Sequence, residues 1–340
     1  MMEKQNLWQE MVKLAPSKYT RKQNFLAHLS DLFGQYMSLL EGIDKGEFVE
    51  EWNGRITRIQ EHCSAIEDSI RLYYCGLYPQ AYKTLKSRID LLPKWSIGHK
   101  KPCYRMRVIE EGLFPTFEAM FHIPFDKRGI IKTQRYSAPG FPCLYLGFSP
   151  YTCWEEMERP DLLKTFISLY LPNDVNLFLK FSIPELRTWI DGEYSDKIFK
   201  DDLEYFPFVI SSMVKVCNKS DVFKPEYIIP QLVMQWLIEN RLANDETGKR
   251  KHLGVLYTSV HCDLNEAGIP ADQYYNLAIP AYYENEEKYS NVLKKCYMYT
   301  DPVPCSSDGY EDDVQENIKK LNLIANLLND RDKYPLKKLE

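Results

Sequence analysis

Residues 135–157, RYSAPGFPCLYLGFSPYTCWEEM, restrict the fold more than any other stretch. Ser137-Ala138-Pro139-Gly140 is a turn cluster, because proline presets one backbone angle and glycine reaches those closed to other residues. Cys143-Leu144-Tyr145-Leu146 is a short apolar run with aromatic content, which predicts a buried strand. Ser149-Pro150 supplies a natural N-cap followed by proline at the first helical position. A helix therefore opens at Tyr151 and carries Glu155 and Glu156, with Cys153 and Trp154 turned to the core. Glu155, one register away, is expected to face solvent. Strand, turn and helix gather an arginine, a tyrosine and a glutamate around one strand end, a composition suited to an anion and a sugar.

The flanking segments build around this one. Cys103–Val108 alternates like a strand, so Arg105 and Arg107 share a face. Either is a surface charge or an anion ligand on this pattern alone. His122 and Arg128 lie in the next loop. His122 invites a general-base role because imidazole titrates near neutrality, and equally the role of positioning the following Pro124 turn. Residues 162–181 hold two strand-like runs split by Pro172-Asn173-Asp174, which predicts a hairpin. Residues 183–216 form a long connection rich in aromatics and charge, expected as a lid or a substrate-selecting wall. A helix over 233–240, a polar loop with Asn244, Asp245 and Gly248, and strands at Gly254–Ser259 and Tyr275–Pro280 follow. Residues 314–328 read as a terminal amphipathic helix, and 333–340 as a frayed end. Ser259 has no Gly-x-Ser-x-Gly elbow, which excludes a hydrolase triad, and no GxGxxG or P-loop occurs.

The first part of the chain is helical. Phe25, Leu29, Leu32, Phe33, Tyr36, Leu39, Leu40 and Ile43 fall on one face, and Gly42 and Gly46 mark a break. Trp52, Ile56, Ile59, Cys63, Ile66, Ile70, Tyr73 and Leu77 alternate steps of four and three, the spacing of a heptad seam. A third segment carries Tyr78, Tyr82, Leu85, Ile89 and Leu92. Such seams either fill an intramolecular bundle or seat a partner. His28 and His62, in these helices, read as ordinary residues and not as ligands.

The order of motifs resembles the RES domain, a family named for an Arg, a Glu and a Ser. Tyr104-Arg105 is similar to its opening aromatic–arginine pair, Arg135 to its second arginine, and Tyr145 to its strand tyrosine. Glu156 resembles the helical glutamate, Ser259 the serine of a Gly-x-x-Tyr-x-Ser strand, and Tyr275-Asn276-Leu277 the final strand. The resemblance covers roughly 101–281, with an unusually long insertion between the glutamate and the serine. It implies an α+β chain: an N-terminal helical bundle, then an ADP-ribosyltransferase-like mixed β-sheet core with flanking helices. The expected divisions are 1–96, 97–290 and 291–340. It further implies NAD as substrate, Glu156, Arg105 and Ser259 as catalytic residues, and Arg135, Tyr145, Arg107, Tyr104 and His122 as binding residues. Cleavage of the nicotinamide–ribose bond by a toxin or defence effector is the implied activity, with an antitoxin protein as a possible partner. The alternatives are an ADP-ribosyltransferase acting on protein, or a regulatory scaffold with a degenerate RES domain.

Composition narrows the setting. A net charge of −5 without a basic, aromatic-laced stripe argues against nucleic acid as the main partner. Nine cysteines without CxxC spacing point to reduced, buried thiols and to no metal site. Neither a signal-like apolar start nor an 18-residue apolar run is present, so a cytoplasmic protein that does not meet the membrane is expected. The N-terminal helices are the expected surface for an antitoxin or for a second copy of the chain.

Overall fold

The computed structural model describes residues 3–20, 22–43, 49–92, 94–97, 101–110, 113, 115–174, 176–191, 195–244, 252–262, 274–284, 287–306 and 313–338. The loop residues Asp245 and Gly248 and the break at Gly46 lie outside them. In chain order the elements are α1 (Lys4–Leu14), α2 (Phe25–Glu41), α3 (Val49–Tyr74), α4 (Tyr78–Ile89), β1 (Lys94–Ile97), β2 (Cys103–Val108), α5 (Phe117–Met120), β3 (Cys143–Gly147), α6 (Pro150–Glu156), β4 (Thr165–Pro172), β5 (Asn176–Phe181), α7 (Leu186–Ile190), α8 (Ser195–Ser212), α9 (Ile228–Asn244), β6 (His252–Thr258), β7 (Tyr275–Pro280), α10 (Asn291–Cys296), β8 (Tyr297–Tyr299), β9 (Val303–Pro304) and α11 (Val314–Leu328). The chain is α+β, helices first and then a sheet with flanking helices. No helix among the described residues is long and apolar enough to cross a membrane.

Two compact units form. The helical unit takes 1–93, 134–136 and 179–236; the sheet unit takes 94–133, 137–178 and 237–340. The long connection 183–216 thus folds into the helical unit, mostly as α8, in place of the expected lid. Its aromatic residues Phe199, Phe206 and Phe208 are core side chains. The seam of α3 is buried at Trp52, Ile59, Cys63, Ile66 and Ile70, whereas Leu77 falls beyond the helix and is exposed. Buried Glu204 of α8 accepts from Arg55 at 2.8 Å and Arg58 at 2.7 Å, pinning α8 to α3 by charge as well as by apolar contact. His62, also on α3, is fully buried between Tyr205 and Phe208, and neither ring nitrogen finds a hydrogen-bond partner among the described residues.

In the sheet unit the strand order is β1-β5-β6-β7-β3-β2-β4-β8, with β9 beside β4. The pairings β2–β3, β2–β4, β3–β7, β4–β8, β4–β9 and β6–β7 are all antiparallel. The expected hairpin of β4 and β5 does not form: β2 and β8 occupy the two edges of β4, and β5 sits between β1 and β6. Asn173 instead donates to the carbonyls of Cys296 and Lys295, steering the chain away. The ladders β2–β4 and β3–β7 run the length of their strands, but β2 and β3 register only at Tyr104↔Gly147. The sheet therefore splays between β2 and β3. One face is covered by α6 and α11, with Trp154 of α6 clustered with Tyr104 and Met106 of β2. The other carries Cys103, Phe121, Leu144 and Leu277. α11 spans the predicted residues, but the tail does not fray, since Lys337 exchanges backbone hydrogen bonds with Tyr299. Six of the nine cysteines are buried as expected, and Cys75 is exposed.

Burial holds the imidazole of His62 down to about 4. Arg88 and Arg58 push the same way, and Glu204 and Glu61 oppose them. The unfolded ring takes up a proton near pH 6.5 that the folded ring refuses, so stability falls as pH drops from 6.5 toward 4. His62→Leu is expected to remove an acid loss of about 3 kcal/mol at most. Urea denaturation of both proteins at pH 7 and pH 4.5 measures it; equal losses in the two would exclude His62 as the cause.

Candidate active site

α6 starts where the sequence places it: the Ser149 hydroxyl accepts from the Thr152 amide at 3.1 Å, and Pro150 follows. It ends abruptly, with Glu158 and Arg159 in the left-handed region at φ 63° and 56°, a conformation that costs non-glycine residues energy and clusters at functional sites. Successive helical residues point about 100° apart, so the two glutamates diverge. Glu155 is the buried one and pairs with Arg159 at 2.8 Å, contrary to its expected solvent position. Glu156 is half-buried and turns to the ends of β6 and β7.

There, Glu156 Oε1 accepts from Ser259 Oγ at 2.6 Å and from Asn276 Nδ2 at 2.8 Å. Ser259 lies just past β6, where its amide continues the ladder to the Tyr274 carbonyl. Its oxygen accepts from the His261 backbone amide at 3.1 Å, which leaves the hydroxyl proton for Glu156. Ser259 is thus a donor to a carboxylate, and among the described residues no histidine side chain hydrogen-bonds to it. Glu156 Oε2 accepts no hydrogen bond among the described residues. The neighbouring thiols of Cys153 and Cys262 are pushed up to about 12 by burial and stay neutral.

Arg105 and Arg107 lie on the opposite side of β2 from Tyr104 by period-two alternation. Arg105 donates to the Tyr145 carbonyl at 2.8 Å, reaching β3 where the two strands part. Arg107 donates to the Phe121 carbonyl at 3.2 Å. Neither forms an ion pair among the described residues, and the Nε of each is buried without a partner. Burial, reinforced by the charge of Arg107, brings Arg105 down to about 9. Two neighbouring, partly buried guanidiniums without a counter-charge among the described residues form a costly arrangement that an anion relieves.

The other predicted residues separate. Tyr145 emerges on the face of Gly147 and Asn276, its hydroxyl 3.0 Å from Ser137 Oγ. Tyr104 is a core residue beneath α6, because it occupies the alternate side of β2. His122 is fully buried, donates from Nδ1 to the Ile123 carbonyl, and accepts the Ser290 amide at Nε2. Both nitrogens being occupied, it has no lone pair for a base role or for a ligand. Arg135 belongs to the helical unit, where it donates to the Ser212 and Val214 carbonyls at 2.6 and 3.1 Å and stacks over Tyr227. Arg128 packs over Phe125 and Tyr283. Asn276 was legible only as part of a strand, although an amide inside an apolar run is a signal in itself.

Comparison with curated proteins finds a relative named "Putative toxin YopC" from Bacillus subtilis (strain 168). It is 29% identical over 325 residues, covering 89% of this chain and 71% of that protein. No protein-family model and no solved structure matches the chain.

A side chain at Gly147 would place Cβ 2.7 Å from Cys153 Sγ and 3.3 Å from Asn276 Oδ1. Gly147→Ala is expected to destabilise the sheet unit by about 1–3 kcal/mol through overpacking between β3 and α6. Chemical denaturation checks it, and an unchanged midpoint would show that the helix yields freely.

Proposed function

We propose that the chain is a toxin-type enzyme that cleaves the bond between nicotinamide and ribose in NAD. The observation that carries this reading is the anchored carboxylate: Oε1 of Glu156 is held by two donors and Oε2 is left for a ligand. The name of the Bacillus subtilis relative supports the toxin role.

The chemistry asks for these groups. As the C1′–N bond breaks, its electron pair leaves with nicotinamide and C1′ becomes oxocarbenium-like. A fixed carboxylate stabilises that charge and binds the 2′-hydroxyl, as in glycoside cleavage. The incoming oxygen then bonds to C1′, and a water or hydroxyl acceptor passes its proton to solvent. Water as acceptor gives a glycohydrolase, phosphate a phosphorylase, and a protein side chain an ADP-ribosyltransferase. Arg105 and Arg107, without an ion pair among the described residues, suit the diphosphate. They lie on the other face of β2 from Glu156, so in this reading the diphosphate meets them at the gap where β2 parts from β3. Ser259 serves as a donor that orients Glu156. Tyr145, on the face of Asn276, offers a ring for stacking.

Released nicotinamide, read by chromatography with and without phosphate, tests the activity and identifies the acceptor. Glu156→Gln is expected to lower turnover by at least about 10²-fold while keeping the wild-type melting temperature. NAD consumption unchanged in that variant refutes the assignment. Replacing Arg105 by Met is expected to raise KM for NAD more than it lowers kcat, as loss of a ground-state phosphate contact does; steady-state kinetics separate the two.

A further inference from the structure

We infer that Asn276 is a positioning residue that fixes the Glu156 carboxylate in its working orientation. The inference rests on the reading of Glu156 as the carboxylate that faces the reacting ribose.

The geometry is specific. Asn276 sits inside β7, registered directly across from Gly147 of β3. The missing side chain at Gly147 leaves the space that the Asn276 amide fills: a Cβ there would lie 3.3 Å from Oδ1. The amide is almost wholly buried, and its Nδ2 reaches Glu156 Oε1 at 2.8 Å across 120 residues of chain. Ser259 Oγ meets the same oxygen at 2.6 Å. The Ser259 oxygen accepts from the His261 amide, and its proton is available to Glu156. Two donors thus converge on one carboxylate oxygen from two different strand ends. A single donor would leave the carboxylate free to rotate about its last bond; two from different directions fix its plane and present Oε2. Both donors are neutral and neither titrates near neutrality, so they hold the ionised form without adding charge beside a developing cation. Among the described residues the titratable groups near Glu156 are Cys153 and Cys262, both neutral through burial, while Glu155 turns away from it and pairs with Arg159.

Loss of a hydrogen bond to a carboxylate raises its pKa, and a second carboxylate in contact raises it further. The experiment titrates Glu156 by carbon-13 NMR of the glutamate side-chain carboxyls, assigned by the signal missing from Glu156→Gln, in wild type, Asn276→Leu and Asn276→Asp. The Glu156 midpoint is expected to lie higher in Asn276→Leu than in wild type, and higher still in Asn276→Asp. The acid limb of kcat for NAD cleavage is expected to move with it, and kcat in Asn276→Leu to fall roughly ten- to a hundredfold with little change in KM. Asn276→Asp keeps the shape of the side chain, so it remains informative if the leucine variant fails to fold. A Glu156 midpoint unchanged in the folded variants overturns the inference. If wild type does not turn over NAD at all, the functional reading fails, and the NMR midpoints still decide the role of Asn276.

Discussion

One carboxylate oxygen ties together three elements far apart in the chain. Glu156 Oε1 receives the Ser259 hydroxyl and the Asn276 amide, so a seven-residue helix is fastened to the ends of β6 and β7. A helix this short has little stability of its own, because nucleation costs more than two turns return. Its position comes from outside: the Ser149 cap at one end, Trp154 sunk in the core, the Glu155–Arg159 pair, and the two donors on Glu156. The left-handed turn at Glu158 and Arg159 is the strained consequence, held because Arg159 is bound to Glu155 through its side chain and to the Trp154 carbonyl through its backbone.

The second constraint is electrostatic. β2 carries two arginines that no described acid neutralises. The parting of β2 from β3 after one registered pair frees the Tyr145 carbonyl, which Arg105 takes as an acceptor. A backbone carbonyl satisfies a hydrogen bond but not a charge, so the pair remains electrostatically incomplete. The binding role proposed for β2 rests on that residue of positive potential.

Much of this was legible in the sequence, wherever one local rule decided the outcome. The 3.6-residue period of Ile318, Leu321 and Leu328 set α11, and the Ser149-Pro150 signal set the start of α6. The failures share a cause, since each depended on a partner distant in sequence. The runs around Pro172 resemble a hairpin until β2 and β8 are known to flank β4. Residues 183–216 read as connection because their aromatics lack a clean period, yet Tyr36 of α2 and His62 of α3 give Phe206 and Phe208 something to pack on. Glu155 and Glu156 differ by one register, and only Arg159 and Asn276 reveal which one turns inward. His122 looked available because its two partners, Ile123 and Ser290, are backbone groups with no side-chain signature.

The seam of α3 is likewise closed by partners distant in sequence. Its apolar residues are consumed inside the helical unit, where α2 and α8 cover them and the Arg55–Glu204 pair locks the fit. A binding protein that used this seam would have to displace α8, exposing Phe206 and Phe208 and leaving Glu204 without Arg55. Breaking such a buried pair costs several kcal/mol, more than a short helix recovers by substitution. Any partner of the helical unit must therefore read what that core leaves outside, which at the α3–α4 turn includes Tyr74, Leu77 and Tyr78 beside Phe223.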